Sequence, residues 1–501
     1  MEPCGPRSAD EEAAAADLIS KLPSDVLVSI LERLHLRDAV RAGALSSRWR
    51  CLPKQLPRLS LDIDDFLPRG QGHFFDDRDT GEDDEGDDVA AADDVLSEAG
   101  DKMVRVATAL LASRSPAPAN AADAHVIATL AMKFHLRRQS CYMSLGRLVD
   151  DAVASGKVCA AELTITTKSR TVSWSEDEDR VRARRALLRG YGRRFRNLFD
   201  ACPAAFGALK QLNIESVKLG KHDFPDILDT CTRLEKLYLF NCVPGPGGLW
   251  QVRHERLTDI RISVCGIHGV SLEWVPRLKQ FAFQGWFSMT HQLLSFSHVP
   301  CLTTVTLSHD NGHLEETLKL SRIMANTAVK DIRLNFRGNN IWVQPESSRR
   351  LTDLFRNLTN LKIRNVHHKC GLSWTMFLLQ SAPHLQELYI KLTDHECGVV
   401  KKNVPWEVPI GFKHYTLARI TILGFYSNEE TVVTYIRHLL QAAINLEEID
   451  MRENATYCEI CGHMEPKAGS RFPRTDEDKE TFRKRITTNG RSAIFKICIR
   501  S

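Results

Sequence analysis

No run of eighteen apolar residues occurs anywhere in the 501-residue chain, and its first twenty residues lack the cationic start and apolar core of a secretion signal. Neither a membrane partner nor export is expected. Aromatic residues are few, at 7%, and neither sign of charge dominates, with 67 Lys and Arg against 63 Asp and Glu. A balance this close to neutral leaves no footprint for nucleic acid. The 14 cysteines lack the dense, regular spacing of a disulfide scaffold, and Cys242, Cys265 and Cys498 fall in apolar runs where a thiol packs as a small hydrophobe. A reducing compartment, cytoplasmic or nuclear, suits that pattern. Catalytic signatures are also missing: there is no Walker loop, no G-x-S-x-G, no H-E-x-x-H, and no G-x-G-x-x-G between a strand and a helix. The pairs His309-Asp310 and Asp394-His395 have no nucleophile beside them. The chain is not expected to be an enzyme or to need a cofactor.

What the sequence does contain is a repeat. Apolar residues recur at i, i+3 and i+5 in Leu209/Leu212/Ile214, Leu234/Leu237/Leu239, Leu257/Ile260/Ile262, Leu278/Phe281/Phe283, Leu302/Val305/Leu307, Val329/Ile332/Leu334, Leu358/Leu361/Ile363, Leu385/Leu388/Ile390, Leu417/Ile420/Ile422 and Leu446/Ile449/Met451. The spacing ranges from 21 to 32 residues, around the period of leucine-rich repeats. Earlier, degenerate copies are Leu56/Leu59/Leu61 and Ala160/Leu163/Ile165, with the same alternation at Met132/Phe134/Leu136. The i+3 and i+5 residues share one face of a short strand, and one such unit cannot bury that face alone, so units must stack. Segments 351–357 and 432–443 have helical spacing. Pro276, Pro300 and Pro383, each two residues before a leading leucine, are read as stops for a preceding helix.

Residues 17–52 differ in kind. Val26, Leu27, Ile30, Leu31 and Leu34 line one helical face after Leu22-Pro23, Ser24 is placed to cap the helix, and Leu36, Val40, Leu45 and Trp49 follow. Three short helices in so few residues bury too little to stand alone, so the block must pack against its own repeats or another protein.

The run Leu22-Pro23-x-Asp25-Val26-Leu27-x-x-Ile30-Leu31-x-x-Leu34, followed by Leu36-Arg37-Asp38-Ala39-Val40 and Leu45-Ser46-x-Arg48-Trp49-Arg50, resembles an F-box. More narrowly it is similar to that of plant F-box/leucine-rich-repeat proteins, whose box runs straight into a strand like Leu59-x-Leu61-Asp62; His35 stands where many relatives have proline. The resemblance implies an α/β chain: a short all-helical F-box, then an irregular leucine-rich-repeat solenoid with parallel short strands on the concave side and helices on the convex side. The expected boundaries are a disordered N-terminus at 1–15, the F-box at 16–55, repeats at 56–400, and last repeats with an FBD-like C-terminal cap at 401–501. The implied function is the substrate receptor of an SCF-type ubiquitin ligase, which docks on a Skp-type adaptor, and through it a cullin, and presents a target protein for ubiquitylation. Adaptor contacts, or their support, would be Leu22, Pro23, Leu27, Ile30, Leu31, Leu34, Leu36, Val40, Leu45 and Trp49. The alternatives are a repeat scaffold or inhibitor not engaged with the ligase, and an RNA-associated protein.

On the strand positions that alternate with the buried ones, Tyr238, Phe240, Arg261, Arg333, Lys362, Arg364, Tyr389, Lys391 and Arg419 are candidates for binding the substrate. Lys236 and Arg452 share that face with the acids Glu215, Asp259, Asp331, Glu387, Glu448 and Asp450, a balance that favours a protein partner over a phosphate-tracking groove. Cys458-x-x-Cys461-x-His463 is half a zinc site without a second pair, so no metal is expected. Eight arginines lie between 180 and 196 after an acidic start, with Leu187, Tyr191, Phe195 and Leu198 as the apolar face of a solvated helix. Residues 76–101 hold thirteen acids and one base and are read as a disordered loop within the repeats.

Overall fold

The computed structural model describes residues 19, 22–44, 48–68, 87–114, 126–167, 178–245, 248–285, 294–309, 317–324, 327–338, 340–393, 404, 406–407, 411–453, 472–487 and 495–500, without the side chains of 87–93 and 180. Two compact units divide the chain, the first built from residues 1–76, 82–214 and 230–234, the second from 77–81, 215–229 and 235–501.

The first unit starts with helices α1 (Ser24–Leu31) and α2 (Leu36–Ala42) and a 3-10 helix at Trp49–Gln55. Strand β1 (Arg58–Asp62), helix α3 (Asp87–Ala112), β2 (Thr129–His135), α4 (Gln139–Ala154), β3 (Ala161–Thr166), α5 (Glu178–Ala201) and β4 (Leu209–Glu215) follow. The strands pair in parallel in the order β1-β2-β3-β4. Three expectations change here. The acidic window is not loop throughout: from Asp87 onward it is the start of α3, because Leu96, Ala99, Met103, Ala107 and Leu111 recur at helical spacing and are buried while Asp94, Glu98 and Asp101 face solvent. The stretch 76–86 lies outside the described residues. In α5 the buried face is Leu188, Tyr191, Phe195 and Leu198, and Leu187 is 42% exposed; the spacing from Tyr191 back to the preceding turn is met by Leu188. Ser24 is the first residue of α1 rather than its cap, and Pro23, extended at φ −54 and ψ 150, precedes it.

The second unit carries β5 (Lys236–Phe240), β6 (Leu249–Arg253), β7 (Asp259–Ser263), β8 (Gly269–Trp274), β9 (Gln280–Gly285), β10 (Leu294–Phe296), β11 (Thr304–His309), β12 (Asp331–Asn335), β13 (Asn360–His367), β14 (Glu387–Thr393), β15 (Arg419–Leu423), β16 (Glu448–Arg452) and β17 (Lys496–Arg500). Its large sheet is parallel in the order β5-β7-β9-β11-β12-β13-β14-β15-β16-β17. The i+3 and i+5 residues of every repeat in this sheet are buried, from Leu237 and Leu239 to Ile449 and Met451. Helices Ser348–Phe355, Met376–Ser381 and Glu430–Ala442 cover later repeats. Between β5 and β11, however, the small parallel sheet β10-β8-β6 stands where helices were expected, and Phe281 of the large sheet meets Phe296 edge-on at 5.6 Å. Short connections rich in β-branched and aromatic residues (Trp250, Val252, Val270, Trp274) give strands there. Residues 401–501 add β15, β16 and β17 to the same sheet.

A hydrogen-bonded turn leads into several of the strands. The N–H of the leading leucine donates to the carbonyl three residues earlier at Leu234, Leu278, Leu302, Leu358 and Leu385. Pro276, Pro300 and Pro383 therefore occupy the second position of these turns, where a fixed φ is an advantage. Only Pro383 follows a helix, so the proline acts as a turn former more than as a helix stop. At two further repeats a histidine serves instead: the Nδ1 of His254 accepts from Leu257 N at 3.1 Å, and that of His414 from Leu417 N at 3.2 Å. Three strands end on a second recurrent device, a left-handed residue at Ser216, Asn241 and Val264, and Asn365 repeats it within β13 where the register shifts.

His414 is buried, and its Nε2 donates to the Ala382 carbonyl at 2.9 Å. Protonating Nδ1 would set a second N–H against that of Leu417, and burial holds the pKa of the ring below the ordinary histidine value, although the Ala382 bond works the other way. The unfolded chain therefore takes up the proton first as pH falls. Stability is expected to be full above about pH 6.5 and to decline below it. The thermal midpoint should fall between pH 7.5 and 5.5, and His414→Gln should flatten that dependence; an unchanged slope in the variant would show that this turn does not carry it.

Candidate functional site

The N-terminal block sorts its apolar residues into two sets. Leu27 and Leu31 of α1, Ala39 of α2, and Trp49 and Leu52 of the 3-10 helix are buried together. On the opposite side Val26, Ile30, Leu34 and Val40 stay 39%, 36%, 45% and 48% exposed, with Pro23 and Ile19 also exposed. Val26 and Ile30 are four apart on α1 and share a face. Of the ten residues expected at the adaptor, Pro23, Ile30, Leu34 and Val40 are exposed, Leu22 and Leu36 are half-buried, and Leu27, Leu31 and Trp49 form the block's interior. Leu45 lies outside the described residues. Val26 was legible on the helical face of α1 yet is absent from the expected contacts, because periodicity alone does not separate the two sides of an all-apolar face.

Polar contacts fix the block to the first strand. The Nε2 of His35 lies 3.0 Å from Asp65 Oδ2, just past β1, and Arg48 donates to the Leu22 carbonyl at 2.6 Å. Burial raises the Asp65 pKa and the nearby His35 opposes it. Arg114, buried at the end of α3, donates to the carbonyls of Pro53 and Leu56 at 3.3 and 3.2 Å and so holds the linker between block and strand. Nothing in the local sequence marks Arg114, since its partners are backbone atoms some sixty residues earlier.

The second surface is the open face of the large sheet in the second unit, and it carries the expected residues except Lys391. Tyr238, Arg261, Arg333, Lys362 and Tyr389 hold equivalent strand positions, Phe240 and Arg364 lie two residues further along, and Arg419 two residues before. Lys391 lies on β14 but is buried. Most charges are spent in pairs. Arg261 meets Asp259 at 2.9 Å and Arg333 meets Asp331 at 2.7 Å, each two residues away on its own strand; Arg452 and Asp450 repeat the arrangement, and Arg419 meets Glu387 on the neighbouring strand. Arg261 also lies over the ring of Tyr238 at 4.7 Å, whose hydroxyl donates to Asp259 at 2.8 Å. Burial first, and then the Asp259 carboxylate, push the Tyr238 phenol up to about 12.

Elsewhere, Arg194 of α5 donates to the carbonyls of Leu136 and Arg137 at 2.9 and 2.8 Å, Arg182 pairs with Asp179 and Arg196 with Asp200. The arginine helix is thus partly tied into the first unit. Cys458, Cys461 and His463 lie outside the described residues, and among the described residues no group of His, Cys, Asp and Glu is placed to hold a metal. Among the described residues no helix is long and apolar enough to cross a membrane.

Comparison with known proteins identifies the two regions that carry these surfaces. The F-box domain family matches residues 19–61, and the family described as FBD-associated F-box protein At5g56370, LRR repeats, matches residues 180–390. The chain is 24% identical over 394 residues to the putative FBD-associated F-box protein At5g56820 of Arabidopsis thaliana, covering 76% of this chain and 74% of that one. It is 49% identical over 53 residues to the FBD-associated F-box protein At5g22730 of the same plant, covering 11% of each. F-box/LRR-repeat protein 13 of Arabidopsis thaliana is 48% identical over 50 residues, 10% of this chain and 11% of that one. The N-terminal block is an F-box domain, and the parallel array after it is of the leucine-rich-repeat kind.

The two sets of apolar residues predict opposite outcomes. Leu27→Ala should destabilise the block by about 2–5 kcal/mol. Ile30→Ala should change stability by no more than about 0.5 kcal/mol. Protease protection of the first sixty residues would separate them, and equal loss of protection in both variants would contradict the division.

Proposed function

We propose that this chain is the substrate-recognition subunit of an SCF-type ubiquitin ligase. The F-box docks on a Skp-type adaptor, which links it to a cullin, and the open face of the repeats holds the protein to be ubiquitylated. The chain performs no covalent chemistry and needs no cofactor; it supplies proximity, which is what a transfer enzyme carried elsewhere in the complex requires. Its place of work is the cytoplasm, the nucleus or both.

One observation supports the reading most: the exposed aliphatic row Val26, Ile30, Leu34 and Val40 in a block whose interior is already filled by Leu27, Leu31 and Trp49. Fully burying one such side chain is worth about 1.5–3 kcal/mol. Four partly exposed ones, helped by Pro23 and the half-buried Leu22, suffice for a stable interface once ordering costs are met. On the other surface, a sheet face whose carboxylates and guanidinium groups mostly neutralise each other suits a folded or peptide partner better than a polyanion.

Co-expression with a Skp-type adaptor tests the docking. The wild type should retain the adaptor through purification. Ile30→Asp and Leu34→Asp should each lower the amount retained at least tenfold without changing the thermal midpoint, as should Leu22→Ala with Pro23→Ala. Folded wild-type protein that recovers no adaptor would remove the proposal.

A further inference from the structure

Helix α5 (Glu178–Ala201) carries eight arginines, three acids and no lysine. Five of the arginines, Arg182, Arg185, Arg189, Arg193 and Arg196, follow one another at intervals of three or four residues. On a helix such intervals keep them within an arc of about 80° and spread them over about 21 Å. The opposite side, Leu188, Tyr191, Phe195 and Leu198, is buried. The arc is therefore the solvent side: Arg182, Arg185, Arg189 and Arg193 are exposed and Arg196 is half-buried. The near-neutral balance of the whole chain hides this local row of one sign.

The ends of the row are paired within the helix, Arg182 with Asp179 at 3.1 Å and Arg196 with Asp200 at 2.9 Å. Between them Arg185, Arg189 and Arg193 have no carboxylate partner among the described residues. They stand four residues apart, where like charges repel and weaken a helix. The buried side of α5 is filled without them, so packing does not explain their presence. A polyanion laid along the row would relieve the repulsion. Arg137, also exposed, lies close by, since its carbonyl accepts from Arg194 at 2.8 Å.

The row is otherwise bare. Ala186 and Gly190 lie alongside it, and a Cβ on Gly190 would meet nothing within 4 Å. Leu187, the exposed leucine of α5, is about 160° round the helix from Arg189. An interface with a folded protein takes most of its energy from buried aromatic and aliphatic anchors, and this row offers none. A phosphate chain needs only fixed positive donors, and the planar guanidinium takes two phosphate oxygens at once. Helix packing decides the form of that chain. A Cβ at Gly146 of α4 would collide with Leu198 of α5, so the two helices lie closely side by side. The helix α5 is then no ridge able to enter a groove about 8.5 Å deep. A duplex backbone winds away from a straight row, whereas a single strand follows it.

We propose that α5 binds the phosphate backbone of single-stranded RNA, with Arg185, Arg189 and Arg193 each on a phosphate and the bases unread. Single strands in the cytoplasm and nucleus are RNA, which favours it over DNA as the occupant. The binding is a second activity, on the helical side of the first unit, and stands whether or not the F-box engages a ligase.

Fluorescence anisotropy of a labelled oligouridylate with the purified full chain tests it. Three phosphate contacts give a slope of about −2 in log affinity against log salt, so affinity should fall about twentyfold between about 50 and 200 mM salt. Arg185→Gln, Arg189→Gln and Arg193→Gln should each take about 0.7 off that slope, and the triple variant should bind at least about tenfold more weakly at the lower salt. Glutamine is a good helix former, so the thermal midpoint should not move. The triple lysine variant should keep part of the affinity, and Arg349→Gln, an exposed arginine of the second unit, should change nothing. Oligoadenylate should bind as well as oligouridylate, and duplex DNA and polyglutamate more weakly. Ultraviolet crosslinking in cells should recover ribonuclease-sensitive nucleic acid with the wild type and none with the triple glutamine variant. The inference is overturned by no binding at the lower salt, by an affinity that the triple variant leaves unmoved, or by an equal loss with Arg349→Gln. A strong base preference, polyglutamate or duplex DNA bound as tightly as RNA, or crosslinked DNA in place of RNA would overturn it too.

Discussion

In-register parallel pairing of one short strand on the next is the constraint on which the rest of this molecule depends. A single repeat has two or three buried side chains and cannot cover them. Only a neighbour at the same register gives Leu361 and Ile363 the flanks of Ile332 and Leu334 on one side and Leu388 and Ile390 on the other. A slip of one residue would turn every apolar side chain to the open face. At Leu234, Leu278, Leu302, Leu358 and Leu385 the entry to the strand is fixed locally by a bond from the leading leucine's N–H to a carbonyl three residues back, and at Leu257 and Leu417 by a histidine ring.

The same register creates the open face of the sheet. Once the apolar row is fixed inward, residues between and beside it must face out, and their neighbours on adjacent strands are decided as well. That is how the Asp-Ile-Arg tripeptides of β7 and β12, far apart in sequence, come to stand on either side of Ala282 and Thr306. The arginines are costly to hold still on an open surface, and each is anchored by an aspartate of its own strand. An isolated exposed ion pair adds little stability.

The F-box faces the opposite problem. It is too small to hide all its aliphatic side chains, so it spends Leu27, Leu31 and Trp49 on its own interior and leaves Ile30, Leu34 and Val40 exposed. Its attachment to the first strand is polar and specific, through His35 with Asp65 and Arg114 with the linker carbonyls. The apolar face is thereby kept out of the chain's own core.

By itself the sequence determined the repeat, the face each strand residue takes, the presence of the helices found at Ser348–Phe355 and Glu430–Ala442, and the existence of an N-terminal helical block, because all of these follow from local periodicity. The acidic stretch shows where such reading fails. Its charge argued for loop, yet from Asp87 on it is helix, since Leu96, Met103 and Leu111 are buried against neighbours that composition cannot reveal. The small sheet at β6, β8 and β10 likewise replaces expected helices through contacts such as Phe281 with Phe296. Tertiary structure alone decided which residues of the apolar block are interior and which stay exposed, and which charges on the sheet face are already neutralised. Burial and pairing depend on partners far away in sequence, and a one-dimensional pattern carries only the direction in which a side chain points.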